Sequence, residues 1–251
     1  MARPERPLAV ITGASRGIGL AIAQALAPGH ALLLVGRNEA RLRNAAASLD
    51  GADTAVADLA NASDRAALCT RLADAGATVL VNNAGIAPSA PAHRTDDETW
   101  ARTMAVNATA PFELCRAVLP SMKKAGWGRI VNIASTAALK GYKFTAAYSA
   151  SKGALVAFTR ALASEVATAG ITVNAICPGF TDTDIVASAV ENISSKTGRS
   201  AEQARASLEH FSPMQRLIAP AEVAAMVGYL VGDPAAAVTG TALPLDGGET
   251  A

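Results

Sequence analysis

Short runs of apolar residues alternate with longer amphipathic segments along almost the whole chain. The apolar runs are mostly continuous and rich in Val, Ile and Leu, which is typical of strands covered on both faces. The alternation predicts an α/β fold, a doubly wound parallel sheet of the Rossmann type. The predicted strands are Leu8–Thr12, Ala31–Gly36, Thr54–Ala57, Thr78–Asn82, Arg129–Ser135, Ile171–Cys177 and Thr241–Leu245, and the longest predicted helices are Gly17–Ala27, Asp97–Lys124 and Ala146–Ala169.

No internal repeat and no Pro/Gly/Ser-rich linker divides the chain, so residues 1–251 are predicted to form a single domain. The segment Thr181–Arg216 differs from the rest because it is polar, prone to helix and not followed directly by a strand. Long insertions of this type often cover a ligand, and we expect a helical substrate lid here. Pro244 in the last strand predicts an edge position, where a missing N–H group is tolerated.

Composition narrows the functional classes. The chain is 51% hydrophobic but only 4% aromatic, which predicts a core of small aliphatic side chains. A formal net charge of +1 gives no general attraction to nucleic acid or to an anionic membrane. Three widely spaced cysteines lack the spacing of a metal site, so no metal is expected. Without a secretory pattern or an apolar run near the ~18 residues of a membrane span, we expect a soluble, cytoplasmic protein.

A glycine-rich segment joins the first predicted strand to the first helix. Glycines at such a turn let the backbone approach a pyrophosphate closely, and the N–H groups at the start of the helix bind its charge. This placement predicts a dinucleotide site, whereas a glycine-rich turn elsewhere could be purely structural. The predicted contacts are Gly13, Ser15, Arg16, Gly17, Ile18 and Gly19.

The end of the second strand predicts which dinucleotide is bound. A site selective for NAD normally has an acidic residue here to bind the ribose 2′-hydroxyl. This chain has Gly36 and Arg37 instead, and Arg16 lies in the glycine segment. Two guanidinium groups suit a 2′-phosphate, so the predicted cofactor is NADP(H). The alternative is that Arg37 is only a solvated residue before a helix.

Further cofactor contacts are predicted after the third and fourth strands, because ligands bind at the carboxyl ends of strands in doubly wound sheets. Asp58 and Leu59 follow the third strand, and Asn82, Ala84 and Gly85 belong to an Asn-Asn-Ala-Gly segment at the end of the fourth. The Asp58 carboxylate could accept a hydrogen bond from an adenine amino group. It could equally cap the following helix.

The candidate catalytic residues lie after the fifth strand. Ser135 ends that strand, and Tyr148 and Lys152 are four residues apart, on one face of a helix. An ammonium group beside a tyrosine stabilises tyrosinate and lowers the tyrosine pKa. Tyr148 could then donate a proton to a carbonyl oxygen or accept one from an alcohol, while Ser135 binds the same oxygen.

These motifs resemble those of compact short-chain dehydrogenases/reductases, and the resemblance covers essentially the whole chain. The family's glycine motif matches Thr12–Gly19, its Asn-Asn-Ala-Gly motif matches Asn82–Gly85, its serine matches Ser135, and its Tyr-x-x-x-Lys motif matches Tyr148–Lys152. The resemblance implies NADP(H)-dependent interconversion of a ketone and a secondary alcohol, in a homotetramer.

The same resemblance assigns further roles. Asn107 would kink its helix and position a water molecule in a proton relay. Tyr148 and Lys152 would also contact the cofactor, Lys152 at the nicotinamide ribose, and Thr183 would contact the nicotinamide carboxamide. The implied cofactor contacts in the motif that follows the sixth strand are Pro178, Gly179, Thr181 and Thr183.

The predicted substrate is a 3-oxoacyl thioester carried on coenzyme A or acyl carrier protein, because the segments Lys140–Thr145 and Thr172–Thr183 resemble ketoreductases of such substrates. Lys140, Lys143 and Arg94 could meet the phosphate or the acidic surface of the carrier. Solvated lysines are the alternative interpretation. Two functions compete with this prediction. One is the reduction of a carrier-free steroid or cyclic ketone, and the other is non-catalytic NADP(H) binding by a regulator.

Overall fold

Seven parallel strands form one sheet in the computed structural model, which describes residues 6–251. The strand order is β3-β2-β1-β4-β5-β6-β7. Successive strands are added on one side of β1 up to β3 and on its other side from β4 onward, so the strand order reverses between β1 and β4, which is where doubly wound folds bind ligands. The strands are β1 (Leu8–Thr12), β2 (Ala31–Gly36), β3 (Ala52–Val56), β4 (Val79–Asn82), β5 (Gly128–Ile133), β6 (Ile171–Pro178) and β7 (Ala242–Leu245).

The predicted α/β doubly wound fold is confirmed, with differences of one or two residues at half of the strand ends. Two of these differences concern the candidate site. β5 ends at Ile133, so Ser135 lies two residues beyond the strand, and β3 ends at Val56, before Asp58. β7 pairs only with β6 and forms the sheet edge that Pro244 predicts.

Helices cover both faces of the sheet. They are α1 (Gly17–Leu26), α2 (Glu39–Ala47), α3 (Ala62–Ala75), α4 (Asp97–Met104), α5 (Ala110–Ala125), α6 (Ala146–Val166), α7 (Asp184–Thr197), α8 (Ala201–Glu209) and α9 (Pro220–Val231). Alternate strand residues face opposite layers: Ile11 packs in the layer of α1 and α9, whereas Val10 packs in that of α3, α5 and α6. Burial on both faces explains the unbroken apolar runs.

The predicted helix Asp97–Lys124 is divided. α4 ends at Met104, a π-helical turn spans Ala105–Thr109, and α5 then continues to Ala125. A π-turn inserts one extra residue into a helix and often lies at a functional site. Asn107 is in the middle of this turn, so the helix is distorted at the residue for which a kink was expected.

The polar segment after β6 folds as α7 and α8. Its two ends are joined at the base, where Asp182 N donates to Ile218 O at 2.9 Å and Ile218 N donates to Phe180 O at 2.8 Å. Arg205 of α8 donates two hydrogen bonds to the Asp182 carboxylate, at 3.0 and 3.1 Å.

Within residues 6–251, no helix is long and apolar enough to span a membrane.

Candidate active site

The glycine segment forms a tight turn between β1 and α1. Gly13 and Gly17 have φ angles of +67° and +53°, in the left-handed region that favours glycine. A Cβ atom at Gly19 would lie 2.3 Å from Gly13 O, so the turn is closed too tightly for any side chain there. The resulting bare backbone, ahead of the α1 N-terminus, fits a pyrophosphate group.

Thr12 and Asn83 hold this turn against the end of β4. The Thr12 hydroxyl accepts hydrogen bonds from Asn83 N at 3.0 Å and from Ala84 N at 2.9 Å. In return, Asn83 Nδ2 donates to Thr12 O at 2.8 Å. Sequence reasoning did not assign a role to Asn83. The structure shows that its side chain fixes the position of the glycine turn.

Asn82, a predicted cofactor contact, directs its side chain into the core instead. Its Nδ2 atom donates to Asn132 Oδ1 at 2.8 Å, and Asn132 Nδ2 donates to Thr159 Oγ1 at 2.8 Å. This chain of buried amides joins β4, β5 and α6. Only the backbone of Asn82 remains for a cofactor.

Lys152 is buried at the carboxyl edge of the sheet, with 3% of its surface exposed. Its Nζ atom donates to Ile133 O at 2.7 Å and lies 5.9 Å from the centre of the Tyr148 ring. Gly85 lies directly beside it, since a Cβ atom there would be in contact with Lys152 Nζ at 3.4 Å and with Asn107 Oδ1 at 3.4 Å. Burial lowers the pKa of Lys152 to about 8.

Asn107 is held by three hydrogen bonds. Its Nδ2 atom donates to Ile86 O at 2.9 Å and to Ser151 Oγ at 3.0 Å, and its Oδ1 atom accepts from Ile86 N at 3.0 Å. The π-turn therefore attaches both to the segment after β4 and to α6. Asn107 reaches α6 one residue before Lys152, although the two are far apart in sequence.

The Ser135 side chain lies close enough to Tyr148 to lower the tyrosine pKa, so the structure brings together the two groups proposed to bind one substrate oxygen. Ser135 caps a short 3₁₀ turn over Thr136–Ala138, where its Oγ atom accepts from Ala137 N at 3.1 Å. Tyr148 lies in the first turn of α6.

The expected lowering of the Tyr148 pKa by Lys152 is not found in this structure. Burial raises the pKa of Tyr148 above its ordinary value, and the nearby Ser135 hydroxyl opposes this only in part. The low-dielectric surroundings disfavour tyrosinate more than they disfavour the neutral phenol. At neutral pH the Tyr148 hydroxyl therefore carries its proton, which is the form that a proton donor requires.

Arginine side chains gather beside the glycine turn. Arg16 forms an ion pair with Asp184, the first residue of α7. Burial lowers the Arg16 pKa, and the positive charges of Arg41 and Arg37 lower it further. Arg16 and Arg41 line a cleft of about 400 Å³ that also includes Asn44. Arg41 was not among the predicted cofactor contacts, because it lies inside α2 and belongs to no recognisable motif.

Asp58 and Leu59 lie in the loop between β3 and α3. The interpretation of Asp58 as a helix cap is wrong, because Asn61 caps α3, while Asp58 Oδ1 accepts from Ala60 N at 3.0 Å within the loop. The Leu59 side chain is buried in the core, and its carbonyl oxygen accepts from Arg65 Nη1 at 3.0 Å. A buried arginine thus fixes the loop.

The segment after β6 reaches the glycine turn. A Cβ atom at Gly17 would lie 3.3 Å from Thr183 Cγ2, so Thr183 lies directly over the turn. Thr181 is buried, and its hydroxyl donates to Gly179 O at 3.1 Å. Pro178 is the last residue of β6. The two ends of the predicted cofactor site therefore meet in space.

Lys140 does not have the position expected of a carrier-binding residue. Its Nζ atom lies 3.3 Å from Glu249 Oε1 and donates to Glu249 O at 3.3 Å. The Glu249 carboxylate thus compensates its charge. Lys143 and Arg94, the other predicted carrier contacts, are exposed.

The buried Lys152 predicts a pH-dependent stability of the cofactor-free protein. An unfolded lysine keeps its proton to about pH 10.4, whereas folded Lys152 releases it near pH 8. Between these values the unfolded state binds more protons, so the stability contributed by this group rises with pH. The unfolding free energy of Lys152→Met relative to wild type should therefore decrease by roughly 2 kcal/mol between pH 7.5 and 9.5.

Urea unfolding of both proteins at the two pH values measures this difference. Lys143→Met, which removes an exposed lysine from a nearby loop, is the matched control and should follow wild type at both pH values. Parallel profiles for Lys152→Met and wild type would show that Lys152 titrates like an ordinary lysine, contrary to this account.

Similarity to proteins of known family agrees with this geometry. A family model described as short chain dehydrogenase matches residues 7–194. A solved structure of a variant of actinorhodin polyketide ketoreductase with NADPH superimposes with a TM-score of 0.92 and 39% sequence identity, and the match covers 100% of this chain and 99% of that one. The predicted nicotinamide cofactor is thereby confirmed for the family, and this relative contains it as NADPH.

Two curated relatives are similar over almost their full length. The chain is 38% identical to a D-beta-hydroxybutyrate dehydrogenase of Rhizobium meliloti, over 97% of this chain and 98% of that protein. It is 37% identical to a 3-oxoacyl-(acyl-carrier-protein) reductase of Pseudomonas aeruginosa, over 96% of each. The chain therefore belongs to the short-chain dehydrogenase/reductase family, whose members are nicotinamide-dependent oxidoreductases that act on CH–OH groups.

Proposed function

We propose that this enzyme uses NADPH to reduce a ketone to a secondary alcohol, with Tyr148 as the proton donor. The observation that carries the proposal is the convergence of Ser135, Tyr148 and Lys152 at the carboxyl edge of the sheet, with Lys152 Nζ 5.9 Å from the centre of the Tyr148 ring and burial keeping the tyrosine protonated. When bound, the nicotinamide supplies the hydride that reduces the carbonyl carbon. The glycine turn, Asn83 and Thr183 provide a backbone cradle that fits the cofactor.

The protein's part of the reaction is to bind and protonate the carbonyl oxygen. Ser135 donates a hydrogen bond to that oxygen as negative charge develops on it. The O–H bond of Tyr148 breaks, and its proton forms the hydroxyl group of the product. We expect the ammonium group of Lys152, 5.9 Å from the Tyr148 ring centre, to offset part of the cost that burial imposes on the tyrosinate left behind.

Three arginines support NADPH over NADH. Burial lowers the pKa of Arg16, and Arg41 and Arg37 lie close enough for their positive charges to lower it further. Such a concentration of positive charge is unfavourable by itself and favours a bound dianion such as a 2′-phosphate. No acidic residue takes the place of Gly36 to bind the 2′-hydroxyl of NADH.

For the substrate, we favour a 3-oxoacyl thioester reduced to its 3-hydroxyacyl form. Two relatives support this choice, the 3-oxoacyl-(acyl-carrier-protein) reductase and the polyketide ketoreductase. Exposed Lys143 and Arg94 remain available to a phosphate or acidic carrier. A carrier-free alcohol is the second candidate, favoured by the similarity to a D-beta-hydroxybutyrate dehydrogenase.

A non-catalytic NADP(H)-binding role is disfavoured because every candidate catalytic side chain is present.

We also propose a homotetramer in which the helices α5 and α6 form an interface. Phe112 of α5 is 43% exposed and packs edge-to-face against Phe158 of α6. Sedimentation as a monomer at micromolar concentration would contradict the homotetramer.

We propose the reducing cytoplasm as the location of the protein, which the three free cysteines support.

The reductase proposal predicts both a substrate order and the effect of one substitution. kcat/KM should be at least tenfold higher, about 1.4 kcal/mol, for acetoacetyl-CoA or a longer homologue than for a steroid or cyclic ketone.

Tyr148→Phe keeps the ring but removes the proton, so it should lower kcat by about 100-fold or more on every substrate while NADPH still binds. Initial rates of NADPH oxidation measure both effects.

Retention of more than about a hundredth of the wild-type rate by Tyr148→Phe would rule out this mechanism. If Tyr148→Phe is inactive but a carrier-free ketone is the better substrate by about tenfold, only the thioester assignment fails.

Cofactor choice gives a separate prediction. Arg37→Ala and Arg41→Ala should each raise the dissociation constant of NADPH about tenfold, since each removes a charge-assisted contact worth about 1.4 kcal/mol or more, and should leave that of NADH within about twofold. Arg43→Ala is the matched control, because Arg43 lies on the same helix but pairs with Glu39. Titration of cofactor fluorescence measures these constants. An equal effect on both cofactors, or equal wild-type affinity for them, would contradict a 2′-phosphate site.

A further inference from the structure

The residues after β7 fold back into the molecule beside the proposed active site. The Asp246 carboxylate accepts hydrogen bonds from Gly248 N at 3.0 Å and from Thr250 N at 3.0 Å, which closes a turn. Gly247 and Gly248 make the turn possible with φ angles of +63° and +89°. The turn places Glu249 against Gly179, where a Cβ atom would lie 3.1 Å from Glu249 Oε2.

The Glu249 side chain is only 1% exposed, so its carboxylate must be compensated by protein groups. It accepts a hydrogen bond from the Tyr142 hydroxyl and pairs with Lys140 Nζ at 3.3 Å. The Tyr142 oxygen also lies 2.7 Å from Thr136 Oγ1. Because the single phenolic proton goes to the carboxylate, Thr136 is the donor in that contact.

Tyr142 belongs to a group of three aromatic rings that we call the aromatic wall: Tyr142, Phe180 and Phe211. The Tyr142 ring centre lies 6.0 Å from that of Phe180 and 5.8 Å from that of Phe211, both in edge-on arrangements, and Phe180 lies 5.2 Å from Phe211. Such pairs are stabilising beyond the area they bury. The wall joins the loop after Ser135, the loop after β6 and the end of α8.

The wall has an exposed apolar surface, and Tyr142 connects it to the residue after Ser135. Phe211 is 44% exposed, and Lys140 Nζ lies over its ring at 5.8 Å, so the charged pair covers only part of the aromatic group. Thr136, which binds Tyr142, directly follows Ser135 in the chain. The position of Tyr142 is therefore linked to the position of the serine.

We propose that Glu249 is a positioning residue for the substrate: by binding Tyr142 and Lys140 it fixes the aromatic wall beside Ser135, where the wall packs against the apolar part of a bulky ketone. This inference rests on the proposed ketone reduction. It requires no particular carrier. It also explains why Lys140 is not a carrier contact, since its charge serves to keep the buried carboxylate paired.

Glu249→Gln tests the proposal with little change in shape. Without the negative charge, the hold on Tyr142 and Lys140 weakens and the wall loosens. KM for 2-tetralone, a rigid bicyclic ketone, should rise about tenfold, with kcat within about twofold of wild type. KM for ethyl acetoacetate, which is too small to need the wall, and the dissociation constant of NADPH should both stay within about twofold. Both ketones lack a carrier, so failure of the thioester assignment does not affect this test.

A second variant separates positioning from general destabilisation. Tyr142→Phe keeps the ring but loses the hydroxyl that Glu249 binds, so it should produce the same rise in KM for 2-tetralone. Because both substitutions break one contact, the double variant should be no worse than either single variant. Glu202→Gln, an exposed glutamate of α8, is the control and should match wild type.

A measurement without substrate completes the test. Amide hydrogen exchange over residues 139–145 should be about tenfold faster in Glu249→Gln than in wild type, because the loop loses its buried anchor. Unchanged exchange, additive effects of the two substitutions, or equal losses on both ketones together with weaker NADPH binding would overturn the proposal. Absence of any ketone reduction by wild type would instead contradict the proposed function, while the exchange experiment would still decide the role of Glu249.

Discussion

The hydrogen bonds between Thr12 and the backbone after β4 are the contacts on which the arrangement of the site depends. Thr12 ends β1. Its hydroxyl accepts hydrogen bonds from two N–H groups that are 71 and 72 residues further along the chain. Parallel pairing of β1 with β4 places both strand ends at one edge of the sheet. The threonine converts that proximity into a fixed distance between the glycine turn and the segment that leads to Gly85.

Contacts at Gly85 connect this part of the backbone to the catalytic side chains. Asn107 and Lys152 both lie against Gly85, within 3.4 Å of the place of a Cβ atom there. Asn107 holds Ser151 of α6, and Lys152 holds the carbonyl of Ile133 at the end of β5. Buried polar groups of this kind are costly unless each is paired, and the pairing leaves few alternative positions for them. The cofactor cradle and the proton donor are therefore parts of one connected framework.

The fold and most of the site could be predicted because they depend on local patterns. Apolar runs indicate the strands, and the motifs at their carboxyl ends indicate which loops converge. What could not be predicted depends on contacts distant in sequence. Glu249 binds Tyr142 from 107 residues away. Arg41 approaches Arg16 only because β2 lies next to β1. The direction of the Tyr148 pKa shift depends on burial, which spacing alone does not reveal.

The most direct test of this framework is the affinity of Thr12→Val for NADPH, compared with that of Thr159→Val. Both changes replace a fully buried threonine hydroxyl by a methyl group, and both should lower the unfolding free energy by about 1–3 kcal/mol. Thr159 binds Asn132 in the core, away from the glycine turn. The account predicts that Thr12→Val raises the NADPH dissociation constant about tenfold or more while Thr159→Val leaves it within about twofold. Equal NADPH affinity in the two variants would contradict it.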